Sequence, residues 1–211
     1  MTFNSMKVLV IFLASWFSLS VVHAQAADRL KLTKTIPLAG VKGRFDHPES
    51  FQLEQNGNRI FVNVPDAKHI AVVDRQKRIV IATWPMEKFR ANFPMALDGA
   101  NHRLFVGCRT PSRLVAFDTT TGKMVTDLEI SGDTDDTFYD AKLKRVYISC
   151  GEGFVDVIDQ RNADSYQSRE RIASRAGART SFYSAEMNEL YLAVPQRGNQ
   201  DAEIRVFQPE E

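Results

Sequence analysis

The apolar positions of this chain fall in short runs that are separated by turn-forming residues. In the stretch 103–123, Leu104-Phe105-Val106 is followed by the turn-prone Arg109-Thr110-Pro111-Ser112, and Leu114-Val115-Ala116-Phe117 is followed by Thr121-Gly122. Runs this short, rich in β-branched and aromatic residues and bounded by Gly, Pro and Thr, are typical of β-strands. Because neither run alternates between apolar and polar residues, we expect a sheet that is buried on both faces.

The same unit recurs along the chain. Its first run begins at Arg59, Arg103, Arg145 and Glu189, which lie 44, 42 and 44 residues apart. An apolar strand precedes each unit and a fourth strand follows, most clearly at 79–84 and 124–130. Four strands per repeat of about 40–45 residues are typical of propeller blades, including WD40-like repeats. The pattern therefore predicts an all-β fold, a β-propeller of four-stranded antiparallel blades.

Three aspartates end third strands directly before a turn. They are Asp74, Asp118 and Asp159. A short carboxylate at such a position accepts hydrogen bonds from backbone N–H groups of the turn. We therefore expect these three side chains to be structural.

The repeat resembles that of the YVTN-repeat β-propellers. Its closest match to the later part of that family's repeat is Val115-Ala116-Phe117-Asp118 followed by Thr121-Gly122-Lys123. The resemblance implies an exported propeller. Since the family typically has seven blades, it also implies that this chain is shortened to about four, with the lost repeats missing at His47-Pro48. The motif consists of packing and turn residues, so it implies a fold more specifically than a function. The segments that stand where the family has Tyr-Val-Thr-Asn are Phe61-Val62-Asn63, Phe105-Val106-Gly107, Tyr147-Ile148-Ser149 and Tyr191-Leu192-Ala193.

Residues 1–26 have the features of a secretory signal peptide. Lys7 precedes an apolar stretch at 8–22, and small residues follow at 24–27. A short positive region, an apolar core of this length and small residues at the cut are typical of such leaders. The stretch is short for a membrane span, and no second hydrophobic segment follows. We expect a periplasmic or secreted protein with no transmembrane segment in the mature chain.

The segment Leu30–Leu38 resembles a fourth strand without a repeat of its own, while the last repeat lacks a fourth strand. Open sheet edges invite aggregation. We therefore expect this N-terminal strand to complete the last blade and to bury Leu32, Ile36 and Leu38. The predicted propeller domain is 27–211, with blades at about 48–90, 91–133, 134–177, and 178–207 plus 29–38.

Four blades must either close into a small ring or remain an open arc. The nine-residue connector 39–47 places the N-terminal strand beside the first blade, which favours a closed monomer. An open arc would instead expose an apolar flank, and two arcs could cover each other's flanks in a dimer with eight blades. We expect that flank to contain Phe61, Val62, Tyr191 and Leu192.

Charge and cysteine content restrict the function further. Without Lys7 the chain has 26 basic and 26 acidic side chains, so nucleic acid or an anionic membrane is not indicated as a partner. We interpret Arg169, Arg171, Arg175 and Arg179 as a solvated strand and loop. Cys108 and Cys150 occupy the same phase of adjacent blades, beyond the ~7 Å limit for a disulfide, and are predicted to be buried thiols. Motifs for covalent haem, phosphate loops and Ser or zinc hydrolases do not occur.

Candidate chemistry concentrates where the chain enters the first strand of each blade. In a propeller these connectors crowd around the central axis, and alignment of the blades puts Glu49, Phe93, Asp135 and Arg179 at one level. We therefore expect a ligand-binding site at this mouth. Its candidate residues are Arg44, Asp46, His47, Glu49, Arg90, Asn92, Asp133, Asp135, Asp136 and Arg179.

Two functions remain open. The first is a non-catalytic scaffold without a cofactor, which binds a protein or a small ligand at the mouth, where the charged groups pair with each other. The second is a metal-dependent, lactonase-like hydrolase that holds a divalent cation such as Ca²⁺ through Glu49, Asn92, Asp135 and Asp136. Phe93 and Arg179 occupy equivalent positions, and Arg179 would repel a cation. The pattern therefore favours the binding scaffold.

Overall fold

The computed structural model describes residues 30–38 and 51–211. In these residues sixteen β-strands form four antiparallel sheets of four strands each, and no helix occurs, so none could span a membrane. This all-β arrangement is that of a four-bladed β-propeller, as predicted. Blade 1 contains β2 (Phe51–Leu53), β3 (Arg59–Val64), β4 (His69–Asp74) and β5 (Ile79–Pro85); blade 2 contains β6 (Arg90–Asp98), β7 (Arg103–Thr110), β8 (Ser112–Asp118) and β9 (Met124–Glu129); blade 3 contains β10 (Thr134–Asp140), β11 (Arg145–Cys150), β12 (Phe154–Asn162) and β13 (Ser165–Ala173); blade 4 contains β14 (Thr180–Ser184), β15 (Glu189–Val194), β16 (Ala202–Pro209) and β1 (Leu30–Leu38).

The N-terminal strand β1 completes blade 4, which confirms that prediction. It pairs antiparallel with β16, and the Thr33 hydroxyl donates a hydrogen bond of 3.0 Å to the Val206 carbonyl. Leu30 is fully buried, but Leu32 is 43% exposed, so the predicted burial of Leu32 is wrong. The pairing is irregular between Leu32 and Lys34. The side chains of Ile36 and Leu38 lie outside the described part of the chain.

In the described residues the hydrophobic core consists of three clusters, one each between blades 1 and 2, 2 and 3, and 3 and 4. Phe61 and Trp84 of blade 1 pack against Leu104 and Phe117 of blade 2. The second cluster joins blades 2 and 3, and the third joins blades 3 and 4. Because most second strands are apolar on both faces, each middle blade contributes to two clusters.

The junction between blades 4 and 1 differs from the other three. Within 30–38 and 51–211, no core cluster joins these two blades. Blades 1 and 4 each have one face that packs against no other blade within the described residues, here called the outer face. The outer face of blade 1 exposes Phe51, at 58%, and that of blade 4 exposes Phe182, at 60%. The flank expected from sequence is wrong for Phe61 and Leu192, because both are fully buried inside the chain's own junctions.

Cys108 and Cys150 are free and fully buried, as predicted. Desolvation raises the pKa of the Cys108 thiol to about 12 and that of Cys150 well above its usual value. Since the thiolate is the reactive form, both residues act as small core side chains.

The role of β1 predicts a contrast between two neighbouring leucines. Leu30→Ala should lower the free energy of unfolding by about 2–4 kcal/mol, because Leu30 packs in the cluster that joins blades 3 and 4. Leu32→Ala is the matched control and should cost less than about 1 kcal/mol, since Leu32 is exposed. Urea unfolding of the two variants measures this difference. Equal losses would contradict the register of β1.

Candidate functional site

The first strands of neighbouring blades lie against one another, so their starting residues face one mouth of the propeller. This mouth is formed by the beginnings of β6, β10 and β14 and the residues just before them. Of the predicted site, Arg44, Asp46, His47 and Glu49 lie outside the described residues. The other six are all present at or near this mouth.

The centre of the site is a group of two arginines and two aspartates from three blades, which we call the mouth cluster: Arg109, Asp133, Asp135 and Arg179. The Nη1 atom of Arg179 donates to both carboxylate oxygens of Asp133, at 2.5 Å each. Its Nε lies 3.4 Å from Oδ2 of Asp135. On the other side of Asp135, Nη2 of Arg109 donates to Oδ1 at 2.5 Å. Asp135 therefore lies between two guanidinium groups.

Arg109 is the member of the mouth cluster that the sequence analysis missed. It lies at the end of β7, and β7 pairs antiparallel with β6, so its last residues return to the mouth. Nε of Arg109 donates to the Thr134 carbonyl at 2.8 Å, and the guanidinium lies 4.5 Å from the centre of the Phe93 ring. The signal that would have found it is hairpin geometry: the end of a second strand is as close to the mouth as the start of a first strand.

Burial differs among the charged groups, and this decides what each can do. The side chains of Arg179 and Asp135 are 8% and 5% exposed, whereas that of Asp133 is 42% exposed. Charges removed from water to this extent must be compensated, and the mouth cluster provides two of each sign. Asp133 is thus the carboxylate that remains accessible to a binding partner.

The backbone around Asp133 is held in an unusual geometry. Its φ is +60°, a left-handed conformation that is uncommon for a residue other than glycine. Its carbonyl accepts a hydrogen bond of 2.8 Å from the Gly151 N–H. A Cβ atom on Gly151 would lie 2.1 Å from Oδ2 of Asp133, so a side chain at this position would force the Asp133 carboxylate to move.

The segment that leads into Asp133 is fixed by two further carboxylates. Asp156 accepts hydrogen bonds from the Ser131 N–H at 2.5 Å and from the Ser131 hydroxyl at 2.9 Å. Glu152 accepts one from the Gly132 N–H at 2.6 Å. Desolvation raises the pKa of Asp156, although the Ser131 hydrogen bonds oppose it. These contacts make the mouth a preorganised surface.

Two predicted site residues lie within blade junctions. Asn92 is fully buried between blades 1 and 2, where its Nδ2 donates to Oδ1 of Asn63 at 2.9 Å. Asp136 is 8% exposed, and its Oδ2 accepts a hydrogen bond of 2.7 Å from the Ser181 N–H of blade 4. Arg90, in contrast, is exposed at the rim.

Taken together, the geometry makes the mouth a fixed polar surface whose carboxylates are bound by arginines. Across the described residues, no group of three or more His, Cys, Asp or Glu side chains is arranged to hold a metal ion. The interpretation of Arg179 as a solvated residue is wrong, because Arg179 is buried in the mouth cluster. Arg171 and Arg175 are exposed, and Arg169 pairs with Asp159 at 2.6 Å.

Comparison with known proteins supports the propeller fold. No family model and no curated protein matches the chain. It is similar to hydrazine synthase of Kuenenia stuttgartiensis, with 14% identity and a TM-score of 0.64 over 81% of this chain and 48% of that one. A chain of the mitotic checkpoint complex is also similar, with 11% identity and a TM-score of 0.64 over 80% of this chain and 51% of that one. BamB from Moraxella catarrhalis has 11% identity and a TM-score of 0.59 over 78% of this chain and 45% of that one. The chain spans about half the length of these structures, and identities this low show the fold alone.

The mouth cluster predicts a large difference between two arginines at the same mouth. Arg179→Ala should lower the free energy of unfolding by about 2–4 kcal/mol, because it removes one of the two guanidinium groups that lie beside the buried Asp135 carboxylate. The exposed Arg90 is the matched control, and Arg90→Ala should change stability by less than about 0.5 kcal/mol. Denaturant unfolding measures both. If Arg179→Ala is as mild as the control, the mouth cluster does not contribute to stability.

Proposed function

We propose that this protein is an exported, non-catalytic propeller of the YVTN type, which binds a protein or a small ligand at its mouth. The leader-like residues 1–26 support export to the periplasm or the exterior, although they lie outside the described residues. The propeller fold supports a binding role, because it presents loops from several blades on one rigid face. Fold alone does not determine function, so the proposal depends on the mouth itself.

The observation that carries the proposal is the pairing in the mouth cluster. Both carboxylates are bound by arginines from neighbouring blades, at 2.5 Å in the closest contacts. A cation would have to displace those arginines and leave them uncompensated. The arrangement therefore suits recognition through fixed hydrogen-bonding groups better than metal-assisted chemistry.

The groups left for a partner are also defined. Asp133 keeps an accessible carboxylate, and Arg90 adds an exposed cation at the same mouth. A ligand bound there would meet both charge signs on a surface that does not need to rearrange. Such preorganisation reduces the entropy lost on binding.

The alternative is a metal-dependent, lactonase-like hydrolase with its site at the same mouth. Of its expected ligands, Asn92 and Asp136 already form hydrogen bonds between blades, and Asp135 is bound by two arginines. Glu49 lies outside the described residues. This function remains a prediction that the calcium experiment below tests.

Site-specific cross-linking tests the binding surface. A photo-reactive amino acid at Arg90 should give discrete adducts when the protein is expressed in its native host. The matched control is Lys142, another exposed cation, which lies at the opposite end of the propeller beyond β10 and should give none. Adducts at Lys142 but not at Arg90 would place the binding surface elsewhere.

Calcium titration separates the scaffold from the hydrolase. The scaffold predicts no saturable calorimetric signal up to about 1 mM Ca²⁺, the weak end of the range for extracellular calcium sites. A one-to-one signal that Asp135→Asn abolishes, together with lactone hydrolysis, would contradict the proposal and support the hydrolase.

A further inference from the structure

The three junctions inside this chain are built from equivalent positions. In each second strand, the second, fourth and sixth residues face the preceding blade, and the third residue faces the following one. The third residues Phe61, Phe105 and Tyr147 are all fully buried. So are the residues that face backward from blades 2, 3 and 4, namely Leu104, Val106, Cys108, Val146, Ile148, Cys150, Leu190, Leu192 and Val194.

Blade 1 carries the backward-facing half of this junction without a partner in the described residues. Its equivalent positions are Ile60, Val62 and Val64, which are also apolar but only partly buried. Next to them, Leu53 is 47% exposed and Phe51 is 58% exposed. The residue equivalent to Leu53 in each of the other blades packs against a core cluster: Leu97, Tyr139 and Tyr183.

Blade 4 carries the forward-facing half. Tyr191 is equivalent to Phe61, Phe105 and Tyr147, yet it is only partly buried. Its cross-strand neighbour Phe182 is 60% exposed. In blade 3 the equivalent of Phe182 is Phe138, which packs against the core shared with blade 4.

We propose that the outer face of blade 4 binds the outer face of blade 1 in a second copy of this chain, and that the outer face of blade 1 binds that of blade 4 in the same second copy. The result is a two-fold dimer with eight blades, whose symmetry axis runs along the central channel. This proposal differs from the closed monomer that the sequence pattern favoured. It concerns assembly and does not depend on the proposed function of the mouth.

Complementarity identifies a second copy as the occupant. The chain uses this pair of faces three times internally and leaves one half of it at each end, so another copy provides both missing halves. The outer faces of blades 1 and 4 differ, so each junction between copies joins two unlike faces. A rotation by 180° relates the two copies and leaves no outer face uncovered.

The apolar area is sufficient for a stable dimer. Each junction would cover two phenylalanines and one tyrosine together with Leu53 and Val80, which is 57% exposed. A fully covered aromatic side chain accounts for roughly 150–250 Å², so the four phenylalanines and two tyrosines of two junctions, together with the leucines and valines, bring the covered area to the order of the roughly 1,200 Å² at which specific interfaces begin. Patches of this size are rarely left uncovered on soluble monomers.

Sedimentation velocity of purified protein over a range of concentrations tests the proposal. The wild type should sediment at twice the chain mass. Phe51→Asp and Phe182→Asp should each raise the dimer dissociation constant by about 100-fold or more, because both junctions would then bury an unpaired carboxylate. Met124→Asp is the control, since Met124 is 47% exposed but lies in blade 2, and it should remain dimeric.

Mixing the two disruptive variants tests which faces meet. A pair of one Phe51→Asp chain and one Phe182→Asp chain has one junction with both native faces, so the mixture should recover dimer that neither variant forms alone. The exposed positions allow all variants to fold, which circular dichroism checks. A wild type that stays monomeric, as it would if residues 39–50 covered these faces, overturns the proposal. So does a mixture without recovery.

Discussion

The structure depends on the apolar packing of one blade against the next. Phe105 and Tyr147 are fully buried in two different junctions, because the second strands of blades 2 and 3 are covered on both sides. A single four-stranded sheet cannot bury the side chains on its two faces by itself, because its strands cover one another only at their edges. Each blade is therefore stabilised by packing against another blade, and the apolar outer faces of blades 1 and 4 also need a cover.

The polar mouth is the counterpart of these apolar junctions. Where first strands converge, Asp135 is nearly as buried as the core residues, and it is tolerated because Arg109 and Arg179 approach from the two neighbouring blades. The same contacts connect three blades, so the mouth and the packing stabilise each other. A surface formed in this way has its charged groups fixed by their own ion pairs.

The local pattern was sufficient to predict most of the fold. The strands, their grouping into blades and the pairing of β1 with β16 all follow from apolar runs, turn residues and a missing fourth strand. Asp74 and Asp118 accept hydrogen bonds from turn N–H groups, as predicted. Asp159 does not follow this rule, because Arg145 and Arg169 approach its carboxylate from neighbouring strands.

The sequence alone determined the contacts that recur with the repeat. These contacts join residues that are close together along the chain or that occupy the same position in successive repeats. Tertiary structure decided which charges meet. Arg109 reaches Asp135 in the next blade, and Arg179 reaches Asp133 across 46 positions of the chain. The sequence placed Arg179 both among several solvated arginines and among the candidate residues of the mouth, and it placed Arg109 in a turn. Only the convergence of three blades makes these side chains neighbours, because their distances depend on how the sheets pack and not on the spacing along the chain.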